Sequence, residues 1–129
     1  LEGKQMSTEP TDRSFASPPL SRVLRVGQHV YVSGQVPFDS DGKVVQGGIV
    51  EQMDQVLTNL EDALASAGAR LDDIVKTTVF LTDVKRDFEA MNVVYARRFG
   101  EHRPTRTTVG AELAIEALVE VEAVAIIGR

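Results

Sequence analysis

The sequence contains no cysteine. That excludes disulfides, thiolate nucleophiles, zinc-finger patterns and cysteine-ligated iron–sulfur clusters. It contains no apolar run near the roughly 18 to 20 residues that a membrane-spanning helix needs, so no membrane partner is expected. Histidine is scarce. His29 and His102 are the only two, and neither belongs to a His-x-x-x-His or Glu-x-x-His pair, so no metal site is expected. A phosphate-cradling Gly-x-x-x-x-Gly-Lys loop, a dinucleotide glycine fingerprint and a Gly-x-Ser-x-Gly elbow are also missing. Positive charge is in deficit: 14 Lys and Arg face 19 Asp and Glu, a formal net charge of -5. A nucleic-acid binder usually shows the opposite balance, so nucleic acid is not expected as the main partner. Missing cysteines and the lack of a recognisable signal peptide fit a cytoplasmic location.

What remains is the composition of a globular protein. The 129 residues are 43% apolar and 26% charged, enough for one domain with one core. Leu1 to Gln5 precede Met6 and read as a tag remnant. Ser7 to Ser17 are polar, lack a usable period and read as a flexible arm. The expected division is therefore an arm over 1–17 and a single domain over 18–129, entered through the extended Pro18-Pro19 pair.

Two β-prone runs, Val23 to Val26 and His29 to Ser33, flank Gly27-Gln28 and predict a hairpin. His29, Tyr31 and Ser33 share one face of the second run; Val30 and Val32 share the other. Ile49, Met53, Val56, Leu57, Leu60, Leu64 and Ala67 recur at steps of three and four, the stripe of an amphipathic helix that stops at Gly68. Ile74 to Leu81 is β-branched and reads as a central strand. A second helix is expected from about Asp87 to Phe99, with Phe88, Met91, Tyr95 and Phe99 as its stripe and Gly100 as its stop. Thr105 to Val109 and Leu118 to Ile127 supply the last strands. The order β-β-α-β-α-β-β predicts an α+β sandwich, two helices on one face of a mostly β sheet.

Two places are chemically odd. In Pro104-Thr105-Arg106-Thr107-Thr108-Val109 an arginine sits within a β-branched run. It is either a rim arginine in a surface ion pair or a fork that binds a carboxylate through two parallel hydrogen bonds. In Val119-Glu120-Val121-Glu122-Ala123 strand alternation puts Glu120 and Glu122 on one face, continued by Val124 and Ile126. That face is either half solvated or part of a cleft, where a carboxylate orients water or hands over a proton. His29 reads as structural or superficial.

At these residues the sequence resembles the reactive intermediate deaminase (Rid) family, the YjgF-type group. The likeness is carried by Ser33-Gly34-Gln35-Val36-Pro37 and by Val75-Lys76-Thr77-Thr78-Val79-Phe80-Leu81-Thr82-Asp83. Phe88 with Asn92 and Tyr95, and the Arg106 and Glu120 segments, complete it. The resemblance implies a chorismate-mutase-like fold and a homotrimeric barrel with ligand clefts between subunits. It implies hydrolysis of reactive enamines and imines to 2-oxo acids and ammonia, without a cofactor. Carried over position by position, it makes Arg106 the carboxylate-binding arginine and Glu120 the acid that positions water or assists proton transfer. Thr108 lines the site, Ser33 and Gly34 form its wall, and Asn92 lies nearby. Uncatalysed imine hydrolysis is already fast, so the chemistry needs neither a metal nor a powerful nucleophile.

Two departures bear on the substrate. Leu20, in Pro18-Pro19-Leu20, stands where archetypal members carry a tyrosine, and leucine donates no hydrogen bond. A larger or less polar imino acid than 2-aminoacrylate is then expected. The segment Gly110 to Ala117 is about one residue shorter than the archetype and lacks its Leu-Pro, which reshapes the entrance. Two alternatives stay open at this point. One is a non-catalytic trimer that binds small carboxylates or a partner protein. The other is a pathway deaminase for a bulkier diacid enamine of the aminomuconate type, with Arg22 or Arg103 as a second cation.

Overall fold

The computed structural model describes residues 18–129. The tag remnant and arm expected over 1–17 lie outside the described residues. Among the described residues five strands and two long helices follow in the expected order: β1 (Val23–Val26), β2 (His29–Gln35), α1 (Ile49–Ser66), β3 (Ile74–Leu81), α2 (Val84–Phe99), β4 (Thr105–Gly110) and β5 (Val119–Ile126). A single turn of 3-10 helix, Leu71–Asp73, leads into β3. The strands form one sheet in the order β1-β2-β5-β3-β4. Only the β3–β4 pair is parallel, because α2 carries the chain back across the sheet between them.

The hairpin between β1 and β2 turns at Gly27, whose φ of 61° is open to glycine at little cost. Helix α1 ends as its sequence demands. Gly68 has φ 84°; its N–H bonds the carbonyl of Ala65 at 3.0 Å, and the N–H of Ala69 bonds that of Leu64 at 2.9 Å. This is a Schellman closure, and Arg25 adds a bond from Nη1 to the carbonyl of Ala67 at 3.0 Å.

Helix α2 starts earlier than the periodicity suggests, at Val84 rather than about Asp87. The cap is Asp83, whose Oδ1 accepts from the N–H of Arg86 at 3.1 Å. In the first turn only Val84 packs on the core, and a single apolar residue gives no period, so periodicity alone misses that turn. Asp87 is buried and held by both Nε and Nη2 of Arg86 at 2.9 Å. The two helices are tied by Arg98 of α2, which reaches Asp54 and Glu61 of α1 at 2.6 and 2.8 Å.

The core lies between one sheet face and the helices. Val30, Val32, Val79, Leu81, Val119, Val121 and Ala125 point into it from the sheet. Met53, Leu57, Leu60 and Leu64 of α1, with Met91, Val94 and Phe99 of α2, close it from above. The opposite sheet face carries His29, Tyr31, Lys76, Thr78, Glu120 and Glu122, and among the described residues no element covers it. Tyr31 there is 45% exposed and Leu24 of β1 54% exposed. Among the described residues no helix is long and apolar enough to cross a membrane.

Candidate functional site

The two residues singled out for chemistry sit on different faces of the sheet. In the parallel β3–β4 pair Arg106 lies opposite Thr77, and across β3–β5 Thr77 lies opposite Ala123. Thr77 and Ala123 are buried toward the helices, so Arg106 and Thr108 also turn that way, with alternating neighbours turned away. Glu120 lies opposite Phe80 and Glu122 opposite Thr78, on the uncovered face. The expectation that Glu120 and Glu122 share a face holds.

Beneath α2, the Arg106 guanidinium is cradled by aromatic rings. Its Cζ stands 4.8 Å from the centroid of Tyr95 and 5.8 Å from that of Phe88. Phe88 and Tyr95 are seven residues apart on one helix face, so they form a continuous shelf. Nη1 approaches Sδ of Met91 at 4.0 Å. Among the described residues no carboxylate pairs with Arg106. The surface ion pair that the sequence allowed is not what holds it.

Two polar atoms nearby are left over. Oδ1 of Asn92 and Oγ1 of Thr108 are buried and, among the described residues, have no hydrogen-bond partner. Thr108 is two residues from Arg106 on the same face of β4, and Asn92 is one turn beyond Phe88 on α2. Buried polar atoms are normally satisfied, and each one left without a partner costs about 1–3 kcal/mol. Both can accept, so a ligand that brings N–H or O–H donors as well as an anionic group for Arg106 would complete the bonding.

Tyr95 is itself fixed from below. Its hydroxyl shares a hydrogen bond with Oγ1 of Thr77 at 2.8 Å. Burial pushes the Tyr95 phenol above its ordinary range; the Thr77 bond and the charges of Arg106 and Arg103 pull part of the way back. From sequence Phe88 and Tyr95 are stripe residues; their role as a shelf under a guanidinium depends on strand β4 lying beneath α2.

On the uncovered face, Glu120 is packed against Gly34. A Cβ added at Gly34 would overlap Oε2 of Glu120 and stand 2.8 Å from its Cδ. Gly34 belongs to an irregularity: Val32 pairs with Ala123 but Gln35 with Val121, so β2 holds one extra residue there, a bulge. Ser33, the other bulge residue, donates from Oγ to the carbonyl of Ser21 at 2.6 Å. Burial, and then the neighbouring charge of Glu122, hold the Glu120 carboxyl above the ordinary carboxylate range. A groove of about 460 Å³ on this face is lined by Tyr31, Ser33, Lys76 and Glu122 among others.

The sequence-derived residues thus form two groups. Arg106, Thr108 and Asn92 come together beneath α2; Ser33, Gly34 and Glu120 come together on the other face. Leu20 is 62% exposed and directly precedes Ser21, whose carbonyl accepts from Ser33. Of the two further cations considered, Arg22 is engaged with the carbonyl of Asn59 on α1 at 3.1 Å. Arg103 is exposed just ahead of β4, and its charge reaches Tyr95.

Comparison with known proteins gives a consistent picture. The family model described as Endoribonuclease L-PSP matches residues 11–127. A RutC family protein of Pyrococcus abyssi is 43% identical over 109 residues, 83% of this chain and 85% of that protein. The 2-iminobutanoate/2-iminopropanoate deaminase of Mus musculus is 40% identical over 112 residues, 85% of this chain and 82% of that one. The crystal structure of E. coli TdcF with bound serine superposes with a TM-score of 0.80 at 33% identity, covering 85% of this chain and 89% of TdcF.

Proposed function

The chain belongs to the Endoribonuclease L-PSP family, the YjgF, RutC or Rid group, and from that premise we propose that it hydrolyses 2-imino acids to 2-oxo acids and ammonia. The observation that carries the reading is the Arg106 guanidinium, held on aromatic rings and, among the described residues, without a carboxylate partner, on elements that also carry two unsatisfied buried oxygens. Such a guanidinium receives a substrate carboxylate through two parallel hydrogen bonds. With the carboxylate clamped, the adjacent C=N carbon is fixed in place for attack. Oδ1 of Asn92 and Oγ1 of Thr108 can each accept a hydrogen bond. An imine carries N–H groups that a 2-oxo acid lacks, so these acceptors favour substrate over product.

Water adds to the iminium carbon, gives up a proton, and ammonia leaves as the C=O forms. A carboxyl group held above its ordinary range is suited to take and return that proton near neutral pH. Glu120 fits this part. It faces away from Arg106 in its own chain, so in this reading a neighbouring copy brings it to the clamp, with Gly34, Ser33 and Leu20 as the wall. A homotrimer with sites between subunits meets that requirement and covers the apolar part of the open sheet face.

The family description names an endoribonuclease. A formal net charge of -5 disfavours a polyphosphate backbone as the ligand. A diacid enamine is a second reading, favoured by Arg103, whose charge reaches Tyr95 at the clamp. A non-catalytic carboxylate binder would keep the clamp without turnover.

The deciding experiment generates imino acids of graded size with an amino acid oxidase in the presence of semicarbazide. Loss of semicarbazone in the wild type, but not in Arg106→Ala, supports the deaminase. Saturable binding of 2-oxo acids without any acceleration would replace it with the binding protein.

A further inference from the structure

We propose that Tyr95, anchored through Thr77, is a positioning residue that holds the Arg106 guanidinium ready for a carboxylate. The inference rests on Arg106 being the clamp. An arginine side chain carries about 2 kcal/mol of rotamer entropy, and most buried arginines are fixed by a carboxylate. A fixed carboxylate would also occupy the donors that the ligand needs. Here the fixing element is a ring.

The arrangement closes on itself. Thr77 is the register partner of Arg106 across β3–β4. Thr77 is 1% exposed, and its Oγ1 shares a 2.8 Å hydrogen bond with the Tyr95 hydroxyl. Tyr95 is 6% exposed and stacks on Phe99 with centroids 4.5 Å apart and 29° between the planes. The ring thus has its tip bonded to the strand next to β4 and one side packed on Phe99. Its remaining surface carries the guanidinium at 4.8 Å. Phe88 and Met91 complete the cradle at 5.8 Å and 4.0 Å. None of these groups accepts a strong hydrogen bond from arginine, so the donor edges stay available. The order that a ligand would otherwise have to impose is already present.

The test compares Tyr95→Leu, Tyr95→Phe, Arg106→Ala and the double variant Tyr95→Leu with Arg106→Ala, all as full chains. The probe is 2-oxobutanoate. The readouts are its Kd by NMR titration and the heteronuclear NOE of the Arg106 Nε–H. Tyr95→Leu is expected to weaken binding roughly 5- to 30-fold and to lower the NOE. Tyr95→Phe keeps the ring and loses only the anchor; a loss of about 2- to 5-fold is expected, with most of the affinity rescued. In the Arg106→Ala background Tyr95→Leu is expected to change residual binding by less than about 2-fold, because Tyr95 acts through Arg106.

Wild-type affinity and NOE in folded Tyr95→Leu would overturn the proposal. So would an equal loss from Tyr95→Leu in both backgrounds. If Tyr95→Leu does not fold, unchanged Kd and NOE in Tyr95→Phe overturn it. Loss of binding in Arg106→Ala with none in the Tyr95 variants removes this inference and leaves the clamp. Unimpaired binding in Arg106→Ala removes both.

Discussion

Arg106 and Glu120 stand on opposite faces of one five-stranded sheet: Arg106 beneath α2 through its pairing with Thr77, Glu120 on the uncovered side through its pairing with Phe80. A site that uses both therefore draws them from two copies of the chain. Arg106→Ala and Glu120→Gln should each retain only a small residual activity alone. Co-refolded in equal amounts they should recover up to about a quarter of wild-type deaminase activity, the share of random pairings with both residues intact. A site contained in one protomer would recover nothing, since every chain carries one defect.

Gly34 makes room for Glu120, and its backbone lies outside the positive-φ region that demands glycine. Gly34→Ala should then fold with a stability change of no more than about 1 kcal/mol, because the obstructing group is the end of a flexible side chain. Its kcat should fall to the level of Glu120→Gln. Combining the two should lose no more than either alone. A full additive loss in the double variant would separate Gly34 from Glu120.

Thr108 carries a buried hydroxyl oxygen that, among the described residues, has no partner. Thr108→Val removes that oxygen at nearly constant volume. Unfolding by urea should show a gain of about 1 kcal/mol, while kcat/KM for 2-imino acids falls. A site residue held unsatisfied for its ligand trades stability for function in this way; a loss of stability would place the hydroxyl in the structure instead.

Glu120 is held above the ordinary carboxylate range by burial and by Glu122. The folded state then binds the proton more tightly than the unfolded one. Its carboxyl favours folding below the unfolded pKa, and this benefit is lost as pH rises through the raised folded pKa. Glu120→Gln should therefore raise the thermal midpoint at pH 7 relative to wild type and give no such gain at pH 4. Partial exposure keeps the effect small. Equal midpoint differences at both pH values would argue against the shift.

Leu20 is exposed and offers no donor. In the proposed site between copies it would form an apolar wall. Leu20→Tyr should move the best substrate in a graded imino acid series toward smaller side chains, with kcat/KM as the readout. An unchanged profile would place Leu20 outside the site.

Much of this protein was determined locally. The stripe from Met53 to Leu64, the alternation of Val30 and Val32, and the glycine stops at Gly68 and Gly100 specify elements that differ little from those observed. Helix α2 alone starts early, because its first turn is made by a polar cap. Alternation also places Arg106 with Thr108, and Glu120 with Glu122, whatever the fold.

Alternation is symmetric, however: it says which residues share a face, never which face meets the helices. For β5 the apolar set Val119, Val121, Ala123 and Ala125 breaks the symmetry and turns the glutamates outward. Strand β4, Thr-Arg-Thr-Thr-Val-Gly, has no apolar alternation to do so. Its facing is set by parallel register with β3 and by the rings of α2, contacts between residues about 10 to 30 positions apart in the chain. The separation of Arg106 from Glu120, the Tyr95–Thr77 anchor and the approach of Glu120 to Gly34 all depend on that pairing. They were decided only when the sheet assembled.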